Sequence, residues 1–268
     1  MNKLKAIFLP FISGILLLGI WYSVAFVYAK NEGYEVQRIV IPFPHQIVEA
    51  LWDERAILWI ATRQTAFAAL VGFIAAVTFG YVLSMLLASA VWVKRSLYPW
   101  ILVLQMTPVV VLAPIFVLWI GQGLPSITAI TFMIGFFPVV ANTTMGLIST
   151  DRNLIELFEM SNASKTQEIA YLRVPYAMPY FLTGMKIAGT LAPIGAIAGD
   201  LFAGSSQGGV GGIGFMVILY NSQVKVPELF ATAFVACFLG FIFVGCVNWL
   251  HWMLLKNWHE SVRATDIE

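Results

Sequence analysis

Apolar residues in this chain come in long unbroken blocks, without the short alternations of a water-soluble fold. Six blocks, at approximately residues 6–29, 59–90, 97–120, 124–148, 178–202 and 229–255, are each long enough for a helix to cross the roughly 30 Å hydrocarbon core of a bilayer. Lys3 and Lys5 precede the first block. It exceeds the apolar stretch of about 7–15 residues in a secretory leader and so reads as a retained helix. Pro108 and Pro114 interrupt the third block and Pro138 lies within the fourth, which predicts kinked helices supported by their neighbours. The pattern predicts an all-α membrane protein with a single membrane domain over residues 1–268 and lipid as its surroundings.

Charge sets the orientation. Threading six spans alternately places Lys3, Lys5, Lys94, Arg95, Arg152, Lys165, Arg173, Lys256 and Arg263 on one side, and cytoplasmic connections are the ones that retain Lys and Arg. The other side carries Gly121-Gln122-Gly123 and a Gly-rich loop with Lys225, although Lys30, Arg38, Arg55 and Arg63 dilute the contrast. Both termini are therefore expected in the cytoplasm. Composition narrows the function classes: 60% of residues are hydrophobic and 11% charged, against roughly 25% charged in soluble domains, so a soluble enzyme is excluded. The net charge of +1 gives no reason to expect a nucleic-acid partner. Cys237 and Cys246 share one apolar run, where nine residues of helix hold them about 13 Å apart on nearly opposite faces, too far to bridge. His45, His251 and His259 are scattered through predicted loops and the tail and form no metal signature.

The connection between the fourth and fifth spans, residues 149–173, is long, polar and patterned. Thr150 or Asp151 can cap a short helix whose apolar residues Leu154, Ile155, Leu157 and Phe158 recur at helical spacing. Asn162 suits the left-handed position just past a helix end. Ser164 and Gln167 match a Ser-x-x-Gln capping box opening a second short helix with Ile169, Ala170 and Leu172, which Pro175 is expected to stop. The result is a helix-turn-helix pair across the cytoplasmic mouth, with surface charges Glu156, Glu159, Lys165 and Glu168.

Glu156-Leu157-Phe158, the turn Asn162-Ala163-Ser164 and Val174-Pro175 resemble the EAA loop of ABC-importer permeases. Here Leu157 and Phe158 replace two alanines, and Asn162 replaces a glycine. The segment Ile41-Pro42-Phe43-Pro44, the stretch from Met106-Thr107-Pro108 to Leu118-Trp119-Ile120-Gly121, and Gly184-Met185-Lys186-Ile187-Ala188 are similar to the nitrate, sulfonate and taurine branch. The resemblance covers nearly the whole chain. It implies a type I (MetI-like) permease in the bacterial inner membrane. It further implies that Glu156, Leu157, Phe158, Asn162, Ala163, Ser164 and Pro175 form a coupling segment docking on a separate ATPase. The implied partners are a second permease copy, two cytoplasmic ATPase subunits that use ATP and Mg, and an external solute-binding protein. The chain itself carries no Walker A sequence, so no bound cofactor and no enzymatic activity of its own are expected.

Asp200 is an acid deep in an apolar run, where charges usually face a cavity or a partner. A gating or path-lining role and a structural ion pair or hydrogen bond near the external end of the fifth span are equally open. Gln105, Met106, Thr107 and Pro108 are candidates to line the path where the third helix is broken. Gly209 to Gly214 satisfies the dinucleotide fingerprint as a string, but no strand precedes it. Gly208, Gly209, Gly211 and Gly212 read instead as an external gate or turn. The competing reading is an ion-coupled secondary transporter using Asp200. It lacks a visible inverted repeat or a second buried acid.

Overall fold

The computed structural model describes residues 3–205 and 211–255. Gly208 and Gly209, together with Lys256, His259 and Arg263 of the tail, lie outside the described residues. In chain order the helices are α1 (Lys3–Glu32), α2 (Tyr34–Val40), α3 (Pro44–Asp53), α4 (Arg55–Ser89), α5 (Val91–Met106), α6 (Val109–Ile120), α7 (Leu124–Ile148), α8 (Arg152–Met160) and α9 (Lys165–Glu168). A π-helical stretch, Ile169–Arg173, leads directly into α10 (Val174–Ala203), followed by α11 (Ile213–Ser222) and α12 (Val226–Leu255).

Among the described residues five helices, α1, α4, α7, α10 and α12, are long and apolar enough to cross a membrane. A sixth crossing results if α5 and α6, which meet at 105°, count as one broken span. The break falls at Thr107-Pro108, where both residues are extended. A proline inside a helix removes one backbone hydrogen bond and crowds the preceding turn, yet Pro114 and Pro138 stay within α6 and α7. In α7 the Pro138 carbonyl accepts a bond from Asn142 Nδ2 at 2.8 Å.

Small residues set the central packing. Along α10, Gly184, Ala188, Ala192, Ala196 and Gly199 recur every third or fourth position and are buried. A Cβ on Gly184 would stand 2.9 Å from the Pro138 carbonyl oxygen and 3.1 Å from Val139 Cα, so α7 and α10 approach backbone to backbone. Gly72 and Gly80 bring α4 equally close to Thr131 and Val139 of α7. Cys237 and Cys246 both lie exposed on α12 as free thiols. At the periphery α1 is tied down by Trp21, whose Nε1 donates to the Pro42 carbonyl at 3.1 Å and whose ring lies 5.8 Å from that of Phe230.

Three sequence expectations change. The first polar connection is folded into α2 and α3, and α3 starts with Pro44 at its first turn and the Phe43 amide donating to Gln46 Oε1 at 2.9 Å. His45 sits in α3 and His251 in α12, so neither belongs to a loop. The Gly-rich connection after α10 contains α11, a mostly apolar helix of ten residues, too short to span the bilayer. Ile213 and Tyr220 of α11 pack with Ile47, Leu58 and Ala231. Thus α3, α11 and the starts of α4 and α12 gather at one end of the bundle, and the α8–α9 hairpin occupies the other.

The α7–α10 contact gives a direct test. Gly184→Ala is expected to lower stability in detergent by about 1–3 kcal/mol through overpacking. Gly240→Ala, where nothing lies within 4 Å, should leave thermal unfolding in the same detergent unchanged.

Candidate functional sites at the two ends of the bundle

The hairpin is built by local rules. Asp151 Oδ1 accepts from the Asn153 amide at 2.9 Å and caps α8. Asn162 takes φ 53°. Its amide donates to the Glu159 carbonyl at 3.0 Å and that of Ala163 to Phe158 at 3.1 Å, which is a Schellman ending with Asn where glycine is usual. The Ser164 amide then donates to Gln167 Oε1 at 2.8 Å and the Gln167 amide to Ser164 Oγ at 3.3 Å, closing the capping box. On α8, Leu154, Leu157 and Met160 are exposed while Ile155 and Phe158 are half-buried. Tyr171 adds another exposed ring. Glu156 is exposed and pairs with Arg152 at 3.0 Å, an i,i+4 contact worth about 0.3–0.5 kcal/mol.

Two expectations for this segment are corrected. Pro175 does not stop the second helix. It lies in the first turn of α10, and the preceding π-helical stretch carries the chain on without a break. A wider turn moves the carbonyl that a proline ring would strike in an α-helix. Glu168 is no surface charge either: it is 3% exposed, bonded to Lys165 Nζ at 2.9 Å and to Arg173 Nε at 2.7 Å.

At the opposite end a cavity of about 690 Å³ is lined by residues of α4, the start of α7 and the end of α10, within the usual range of about 300–1,000 Å³ for small-molecule sites. Its polar groups include Arg63, Gln64 and Asp200, against apolar walls that include Phe67, Leu70 and Ile127. Asp200 is 2% exposed. Its Oδ2 accepts from Thr65 Oγ1 at 2.6 Å, Thr65 Oγ1 in turn accepts from the Ile213 amide at 2.8 Å, and the Gly214 amide also donates to Asp200. A helix start leaves its first amides without partners, so α10 and α4 together cap α11. Gly212 makes this possible, because a Cβ there would overlap the Asp200 carboxylate. Gly211 and Gly212 are buried at this junction.

Of the proposed path residues, Asp200 lines the cavity, whereas Gln105, Met106, Thr107 and Pro108 do not. They stand at the α5–α6 break, with Gln105, Met106 and Pro108 exposed and Thr107 half-buried. Sequence reasoning missed Thr65 and treated Arg63 only as a loop charge. The position of Arg63 four residues into a predicted span was the signal available.

A helical membrane bundle with a capped hairpin at one end and a polar-lined cavity at the other describes a transporter subunit. The model of the family "binding-protein-dependent transport system inner membrane component" matches residues 68–258, and the chain belongs to that family. It is a multi-pass ABC transporter permease of the bacterial inner membrane, of the branch that includes nitrate, sulfonate and taurine permeases. It is 35% identical to the formylaminopyrimidine transport permease protein ThiX of Halalkalibacterium halodurans, over 84% of this chain and 88% of that protein. With the taurine transport system permease protein TauC of Escherichia coli the identity is 24%, over 92% and 88%. The fold matches an inward-facing MetNI methionine ABC transporter at 16% identity and TM-score 0.54, covering 73% of this chain and 97% of that one. It also matches an amino acid ABC transporter with histidines at 12% and 0.60, covering 77% and 96%. This is the MetI-like permease fold.

The α11 cap is open to measurement. Thr65→Val leaves the Ile213 amide without its acceptor in a buried site, a loss of about 1–3 kcal/mol. Hydrogen exchange at Ile213 and Gly214 is expected to rise by about 10- to 100-fold, with Thr65→Ser restoring protection.

Proposed function

We propose that this chain forms the solute path of a binding-protein-dependent importer of a small polar organic solute, and that a separate ATPase drives it through the α8–α9 hairpin. Two copies of the chain face each other across the path, two ATPase subunits lie below them in the cytoplasm, and an external binding protein delivers the solute. The observation that carries this reading is the hairpin itself: capped at both ends of α8 and at the start of α9, yet presenting Leu157 and Met160, with Tyr171 of the adjoining π-helical stretch, to the outside. Capping makes it rigid, and exposed apolar knobs on a rigid element suit a docking cleft.

Glu156, Leu157 and Phe158 are the contact face, Asn162, Ala163 and Ser164 set the angle between the two short helices, and Pro175 marks the root in α10. Closure of the nucleotide domains on ATP and Mg would pull both hairpins and rock the helices between outward- and inward-facing states. The chain then needs no ATP site of its own. Relatives named for formylaminopyrimidine and taurine transport support a solute of that size. A cavity combining Arg63, Gln64 and Asp200 with apolar walls suits a molecule with polar substituents on a compact body. The cavity end faces outward in this reading, where Asp200, Gly211 and Gly212 hold α11 as the external gate.

Co-purification with a candidate ATPase subunit tests the proposal. Because Glu156 contributes little to the fold, Glu156→Ala is expected to weaken association about tenfold, or 1.4 kcal/mol, and replacing residues 149–173 by a Gly-Ser linker to abolish it. Normal association of the linker variant, or solute uptake by the chain alone on an ion gradient, would make the secondary transporter the correct reading.

A further inference from the structure

At the root of the hairpin a buried carboxylate, Glu168, is held by the mostly covered Arg173 and by the exposed Lys165, and the proposed docking face and solute path use none of the three. Glu168 has both carboxylate oxygens engaged: Oε2 by Lys165, and Oε1 by Arg173 through Nε at 2.7 Å and Nη2 at 2.6 Å. Lys165 also reaches Glu159 of α8 at 3.6 Å. Arg173 Nη1 donates to the Leu147 carbonyl in the last turn of α7 at 3.4 Å. One buried carboxylate thereby joins α8, α9, the root of α10 and the end of α7.

This geometry depends on the π-helical stretch. Residues five apart in an α-helix point about 140° away from each other, and only those three or four apart are neighbours. The π-helical turn bonds each residue to the one five ahead, as the Val174 amide does to the Ile169 carbonyl, and it swings Arg173 over Glu168. Pro175 explains why the turn is wide, and the wide turn explains why the pair exists.

We infer that Glu168 and Arg173 are positioning residues that clasp the hairpin to α7 and α10, so that a displacement of α8 by an ATPase moves the membrane helices with it. Without the clasp the hairpin would pivot on its own root and the displacement would be lost there. This inference rests on the proposed coupling to an ATPase and assigns the transmitting contact inside the permease. It predicts that docking and transmission are separable.

Hydrogen exchange of the permease–ATPase complex, with and without Mg-ATP, reads the two separately. In the wild-type complex nucleotide is expected to alter exchange in α8–α9 and also in α7, α10 and α11. In Glu168→Gln, ATPase binding and the nucleotide response of α8–α9 should persist, while the response of α7, α10 and α11 is lost. Glu168→Leu/Arg173→Leu keeps the site filled without leaving a lone buried charge and should behave in the same way even if Glu168→Gln folds poorly. The clasp is refuted if either folded variant transmits the response to α11 as wild type does. Loss of ATPase binding by the doubly substituted chain refutes it too, because the pair would then belong to the docking surface. A wild-type chain that binds no ATPase would instead sink the proposed function, a result visible before any variant is made.

Discussion

Among lipid tails an apolar side chain gains nothing by leaving its solvent for another helix, so a membrane bundle must be held by close packing and internal hydrogen bonds. The stripe from Gly184 to Gly199 meets that constraint here. It lets α10 sit against the backbone of α7, while Gly72 and Gly80 do the same for α4. Everything with functional character hangs on this three-helix contact. The Arg173 anchor needs the end of α7 beside the root of α10, and the cap of α11 needs Thr65 of α4 beside Asp200 of α10. Both are polar contacts between elements that small residues brought together first.

Much of the hairpin was legible in the sequence because its rules are local. Asp151, Asn162, Ser164 and Gln167 act within five residues of their own positions, and the structure uses Asn162 in the left-handed conformation that its side chain tolerates. The break at Pro108 was legible for the same reason. The fate of Glu168 was not, since its burial is decided by Arg173 and by a carbonyl on another helix, and by a π-helical turn that no pattern of period 3.6 reveals. Reading Pro175 as a stop followed the usual behaviour of proline and failed because the widened turn removed the clash. The helix α11 escaped notice because it has core neighbours on several sides and so lacks an amphipathic stripe. Thr65 looked like any other residue of α4 until the fold placed it between Asp200 and Ile213.

The family relationship and the local chemistry speak to different questions. Identities of 12–16% with the solved transporters carry the fold, whereas the chemistry at the two ends of the bundle rests on a few side chains. They are the bulky Leu157 and Phe158 on the hairpin, the buried Glu168 behind them, and the Arg63, Gln64 and Asp200 group at the other end. The first set lies exposed or half-buried on the hairpin, and the last lines the cavity.

From Lys165 to Ala203 the chain runs as one helical rod of 39 residues with an apolar middle, and at about 1.5 Å per residue it is long enough to span the bilayer and protrude from it. Asp200 sits near one tip and Lys165 at the other. A loop between them would dissipate work as slack, whereas a strut braced at its root by Glu168 and Arg173 has little to give. Thermodynamic reciprocity then binds the two tips: if occupation of the cavity shifts the strut, it changes affinity at the hairpin, and a protein gripping the hairpin must change affinity at the cavity by the same factor.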